Sequence, residues 1–156
     1  MSLQQIWEWS YSSKTIDILR NAKYAIPLIQ SFHLFGLTLV LGSTVVFNLR
    51  LLGLGVNRLS MPAITSQLWR LMVGGLLLSV TTGILVFLPD PARYAANTAF
   101  KTKLVILLAA ILFHFTVFRK VVRADKPPRR AAMVAAVSLT LWFCVGWAGR
   151  AIAFLG

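Results

Sequence analysis

Apolar and polar positions alternate along this chain in long blocks rather than at the short period of a soluble helix or strand. Four stretches, at about 25–48, 70–88, 99–118 and 131–155, are apolar around most of a helical circumference. Each has close to the ~20 residues that a helix needs to cross a hydrocarbon layer about 30 Å thick. Chain breakers mark the joins. Pro89-Asp90-Pro91 closes the second stretch and Pro127-Pro128 precedes the fourth. The pattern predicts an all-α protein, one integral membrane domain over 1–156, built as a four-helix up-down bundle. Short connections favour that antiparallel order, in which the first and third spans point the same way.

The first 24 residues read differently. Trp7, Trp9 and Tyr11 stand among Glu8, Lys14, Asp17 and Arg20. Aromatic rings favour the headgroup zone, so an amphipathic helix at the membrane interface is expected here. A basic start followed by a short apolar core is lacking, so the segment does not read as a cleavable signal peptide. The connector from Arg50 to Trp69, with Gly53, Gly55 and Pro62 among apolar residues, is also expected at the interface.

Composition agrees with the block pattern. Of 156 residues, 58% are apolar and 13% charged, against about 45–50% and about 25% in an ordinary soluble domain. The mean hydropathy is +0.75. The single cysteine, Cys144, excludes an internal disulfide and a cysteine-only metal cage. The four acids, Glu8, Asp17, Asp90 and Asp125, lie outside the most apolar stretches, which argues against hydrolysis by paired carboxylates. The net charge of +12 would suit a nucleic-acid binder, but the bases flank the spans, as in Arg119-Lys120, Arg123, Lys126 and Arg129-Arg130. That placement fits topology bias and anionic lipid better than a nucleic acid, and an acidic partner is the remaining alternative. Counting bases by side puts seven (Lys14, Arg20, Lys23, Arg93, Lys101, Lys103, Arg150) against nine (Arg50, Arg58, Arg70, Arg119, Lys120, Arg123, Lys126, Arg129, Arg130). The excess places both termini on the outer side.

In lipid there is little hydrophobic drive between helices, so small and polar residues make the contacts. Gly75, Ser79 and Gly83, with Thr82 beside them, form such a stripe on the second span. Ala131, Ala135 and Ser138, then Gly146, Gly149 and Ala153, do so on the fourth. These stripes read as seams, with room for a flat cofactor as the alternative.

Two histidines lie inside spans, His33 in the first and His114 in the third, and a polar residue in lipid raises a functional question. Imidazole is a common axial ligand of haem iron, and one from each of two helices gives bis-histidine ligation. Gly36, one turn beyond His33, would let a planar group approach the backbone. Arg150, Lys101, Lys103 or Lys23 could pair with propionates at one membrane edge. Phe32, Phe35, Phe113 and Phe115 would wall the iron. Counted from Tyr24 and Lys103, the two histidines lie about 13 Å and about 16 Å deep, which suits one iron. Counted from Asn48 and Arg119, the depths are about 22 Å and about 8 Å, which does not. The alternatives are histidines that hydrogen-bond between helices, and copper held by His33, His114, Cys144 and Met72 or Met133. A proton relay would want carboxylates within the spans, and neither Ser79 nor Ser138 has a histidine nearby in sequence to serve as a base.

The run Ser31-Phe32-His33-Leu34-Phe35-Gly36-Leu37, followed by Gly42 and by Asn48-Leu49-Arg50-Leu51-Leu52-Gly53, resembles small bacterial four-span membrane proteins of uncharacterised families. More distantly it is similar to transmembrane b-type cytochromes and copper-resistance D-type membrane proteins. The likeness covers the four-span layout and the first-span histidine. Such cytochromes often hold two haems on four histidines, and two histidines allow at most one. The resemblance implies a haem b protein of the bacterial inner membrane, moving electrons to or from quinol or a redox protein. An electron carrier is then expected rather than an enzyme with its own substrate chemistry. The competing expectation is a cofactor-free membrane subunit that joins a homo-oligomer or larger complex or moves a small solute.

Overall fold

The computed structural model describes residues 8, 11–52, 54, 61–122 and 130–155, apart from the side chains of 61–65 and 153–155. Trp7, Trp9, Gly53, Gly55, Arg123, Lys126 and Arg129 lie outside the described residues. The regular elements among the described residues are all helical: α1 (Lys14–Asn21), α2 (Ala25–Leu51), α3 (Met61–Phe87), α4 (Pro91–Ala96), α5 (Thr98–Phe113), a π-helical turn (His114–Phe118), α6 (Arg119–Val122) and α7 (Ala131–Leu155). Four stretches are long and apolar enough to cross a membrane: Ala25–Leu51, Ser66–Phe87, Thr98–Val121 and Ala131–Ile152. They coincide with the four expected spans, and the protein is a four-span membrane protein.

The first span runs on to Leu51 and the third to Val121, and the second starts earlier than expected. α3 begins at Met61 and absorbs part of the connector expected at the interface. Pro62 does not stop it, because in the first turn a proline removes no hydrogen bond that the helix would make. The third span is one continuous rod through α5, the π turn and α6. At the end of the second span the chain turns sharply at Pro89. The Asp90 carboxylate then caps α4, accepting from the Arg93 N–H at 3.3 Å, with Pro91 in the first helical position. Asn97 closes α4 and caps α5, its side-chain oxygen accepting from Phe100 N–H at 3.2 Å.

The helices pack antiparallel around a ring, with extensive seams between α2 and α3, α2 and α7, and α5 and α7. The fourth side of the ring, between α3 and α5, has no comparable seam; α4 is inserted there. The tightest approach is between α2 and α3. A Cβ added at Gly36 would lie 2.8 Å from the Gly75 carbonyl oxygen and 2.7 Å from Ser79 Oγ. One added at Gly75 would lie 2.7 Å from Leu39 Cβ. Only glycines allow these backbones so close, and the stripe read from the sequence is a seam. Val40, Met72, Ala110, Trp142 and Val145 form a dry layer across the middle of the ring. Around the outside, large apolar side chains such as Leu34, Leu77, Val105 and Phe143 are exposed, as a lipid-facing surface requires.

The N-terminal helix is short. α1 buries Ile16 and is tied to the bundle end that carries the Pro89–Asp90 turn. Arg20 Nε donates to Pro89 O at 3.1 Å, and Tyr11 Oη donates to Asp90 Oδ1 at 3.3 Å.

Candidate functional site

Where α3 and α5 stand apart, the ring leaves a partly open cavity of about 790 Å³ to which all four spans contribute. That volume is in the range of small-molecule sites, about 300–1,000 Å³. Its walls are apolar, from Leu37, Leu76, Val80, Leu104 and Leu107, and Trp142 of the dry layer forms part of the lining. His33 also lines it, with Arg93, Lys103 and Arg150 toward the end that carries α4.

The His33 ring is held by the second span. Nδ1 lies 2.8 Å from the Ser79 carbonyl oxygen and 3.1 Å from Thr82 Oγ1. Thr82 gives its one hydroxyl hydrogen to Leu78 O at 2.6 Å, so toward His33 it can only accept. A carbonyl oxygen also only accepts. Nδ1 therefore carries the proton, and the Nε2 lone pair is left for another partner. Gly83 makes room for the ring: a Cβ there would approach His33 Cε1 to 3.3 Å. Ser79 Oγ donates back to His33 O at 3.4 Å, so the pair is tied from both sides.

The charge of the cavity is one-signed. Lys103 reaches from the third span toward the fourth, and its Nζ would lie 3.5 Å from a Cβ added at Gly149. That glycine leaves a path for the lysine chain. Arg93, brought in by α4, and Arg150, near the end of α7, lie on the same lining. Among the described residues no Asp or Glu lines the cavity. An apolar body with an anionic edge is the chemistry that such a space would hold.

Of the residues singled out from the sequence, His33, Lys103 and Arg150 are brought together here. Lys23 and Lys101 are exposed and do not line the cavity. Gly36 faces Ser79 and Gly75, so the second helix fills the space that a planar group would have used. His114 lies elsewhere. It is fully buried, stacked between Phe118 at 4.4 Å and Trp69 at 5.7 Å, and edge-on to Trp142 at 6.1 Å. Trp69 precedes Ser79 by ten residues on α3, so the two histidines are offset by about 15 Å along the bundle. They do not face each other across a common space. The phenylalanines are also distributed differently from expectation. Phe32 and Phe35 are exposed on the outer surface, Phe113 packs on the Phe47–Phe118 pair and Phe115 meets Trp69. Met72 is in the dry layer, Met133 is exposed, and Cys144 lines an outer groove between α5 and α7. Among the described residues no three His, Cys, Asp or Glu side chains gather as a metal site.

Arg93, Trp142 and the bonds from His33 to Ser79 and Thr82 were not anticipated. The small residues at 75, 79 and 83 carried the signal for the last of these, because a histidine needs a small-residue face opposite it to reach a neighbouring backbone. Arg93 enters only because Asp90 and Pro91 start a helix immediately after the turn. No curated protein and no solved structure matches the chain. The model of DUF6644, a family of unknown function, matches residues 7–155, and the chain belongs to that family.

Proposed function

We propose that the protein carries a single haem b in the cavity between its spans, on His33 alone, and passes electrons at one membrane face. The observation that carries this reading is the His33 ring. Its Nδ1–H is taken by Ser79 O and Thr82 Oγ1 at a fixed orientation, which leaves Nε2 as the metal-binding nitrogen. A backbone carbonyl behind a ligating imidazole raises its basicity and fixes the tautomer, as metal sites require. The apolar walls suit a porphyrin face, and Arg93, Lys103 and Arg150 suit its propionates. Bound haem would supply one-electron chemistry, and the chain's part is to hold it, keep water away and present its charged edge at the α4 end. The partner is then quinol or a redox protein, and the setting a bacterial inner membrane.

Absorption spectra of protein made in haem-replete cells test this. A Soret band is expected in the parent, lost in His33→Ala and kept in His114→Ala. A band retained in His33→Ala would overturn His33 as the ligand. Colourless protein that is still helical and monodisperse would favour the cofactor-free subunit. The same His33 bonds support that second reading, because they already join two helices in the way polar residues do in membrane bundles.

A further inference from the structure

Below the dry layer, on the side away from the cavity, lies a second polar group that the proposed function does not use. Thr44, Asn48, His114 and Ser138 are each at most 1% exposed. Asn48 uses both hydrogens of its amide nitrogen, donating to Thr44 O at 2.8 Å and to Ser138 Oγ at 3.4 Å. The carbonyl partner can only accept, so the amide orientation is fixed and Oδ1 is the atom left over. Asn48 Oδ1, Thr44 Oγ1 and both ring nitrogens of His114 are buried and make no hydrogen bond to any described protein group. Native interiors leave only a few such atoms per 100 residues, so four of them on neighbouring residues call for an explanation.

These atoms belong to one level of the bundle. Phe47, next to Asn48, meets Phe118 edge-on at 5.9 Å, and Phe118 stacks on His114. Ser138, bonded to Asn48, is one helical turn from Trp142, which meets His114. Asn48 and His114 thus flank the same stretch of α7. Above them Val40, Met72, Ala110, Trp142 and Val145 separate this level from the cavity.

We infer that Thr44, Asn48, His114 and Ser138 form a closed internal water site, distinct from the ligand cavity. The unpartnered set is chemically mixed: a neutral imidazole offers one donor and one acceptor, the amide oxygen accepts, and the hydroxyl does either. Water, with two donors and two acceptors, complements that set, and buried waters bridge polar groups of this kind. A metal ion does not fit, since the group holds one possible nitrogen ligand and no carboxylate or thiolate. The site pins the π-helical turn at His114 to the first and fourth spans through shared solvent rather than direct bonds. π turns often occur where a helix serves a local function.

The test uses the full chain in lipid nanodiscs, labelled with 15N-histidine, so that only two imidazoles are observed. Cross-relaxation from water to an imidazole that disappears in His114→Phe is the expected result. Thr44→Val, which keeps shape and removes one of the bridged atoms, should reduce that signal at least twofold while the spectrum stays folded. A His114 imidazole with no water cross-peak would overturn the site. So would His114→Phe and Thr44→Val each melting above the parent, since dry unpartnered groups are relieved by apolar replacement. Haem added to the protein should leave the His114 resonance in place; a shift confined to His114 would mean that it is a ligand and not a water partner. The outcome for His33 does not enter, so this inference and the haem reading can fail separately.

Discussion

At the scale of single residues, two kinds of glycine that look alike in the sequence do opposite things. Gly36 and Gly75 sit where α2 and α3 nearly touch, with neighbouring atoms at 2.7–2.8 Å from an added Cβ, some of them backbone that cannot swing aside. Gly36→Ala or Gly75→Ala should overpack the seam and cost about 1–3 kcal/mol, by analogy with soluble cores. Gly42 and Gly74 have nothing within 4 Å of an added Cβ. Gly42→Ala should instead gain up to about 1 kcal/mol from helix propensity. Thermal unfolding in detergent, run on both kinds of variant, checks the contrast; equal effects at Gly36 and Gly42 would contradict the close approach. His33 and His114 show the same divergence. Both are histidines in mid-span, yet one is bonded to a neighbouring helix and lines a cavity, while the other is packed among aromatic rings. Nothing in their local sequences distinguishes them, because each difference comes from the residues opposite.

At the scale of elements, the short helix α4 decides most. Four apolar helices in a ring could close on themselves, but the Pro89 turn and α4 are inserted between the second and third spans. The cavity lies at that side and Arg93 enters it from α4. The caps hold this arrangement. Asn97 ends α4 and caps α5 through Phe100 N–H, and it is itself 8% exposed, so its loss would leave a helix N-terminus short of a partner. Asn97→Ala is expected to lower stability by about 1 kcal/mol, the usual cost of removing an N-cap. Chemical denaturation followed by circular dichroism measures it, and an unchanged midpoint would mean that the cap contributes nothing. The breakers at 89–91 were legible as a turn, and the helix starting inside them was not, because six residues carry too little pattern to register as an element.

At the scale of the whole molecule, the four spans run antiparallel, and both α1 and the Pro89 turn are at one end. In a Cys144→Ser background, cysteines placed at Tyr24 and at Arg130 should be labelled by a membrane-impermeant reagent from opposite sides. Labelling of both from the same side would contradict the four-span order. The basic residues reinforce the two-ended picture. Lys103, Arg93 and Arg150 serve the cavity end, and Arg119, lying over the Trp69 ring at 5.2 Å, marks the other. The level of the cavity and the level of Asn48 and His114 follow one another along the bundle, with the apolar layer of Val40, Met72, Ala110, Trp142 and Val145 between them.

The number of spans, their approximate limits, the helical class and the contact stripe of Gly75, Ser79 and Gly83 were legible in the sequence, whereas its partner on the first span, at Gly36, was not. The reason is that lipid imposes a one-dimensional rule: a spanning segment must satisfy its own backbone and be apolar for about 20 residues. Small residues at four-residue spacing likewise follow from how closely two helices can approach. The site was legible only in part. His33, Lys103 and Arg150 were named, but counting depth from opposite ends of the spans left one or two levels equally open for the histidines. Only the tertiary structure decided between them. Helix register, set by the contact of Gly36 with Gly75 and of Asn48 with Ser138, fixes which residues share a level. Register depends on pairs of side chains far apart in the chain, and no local pattern encodes it.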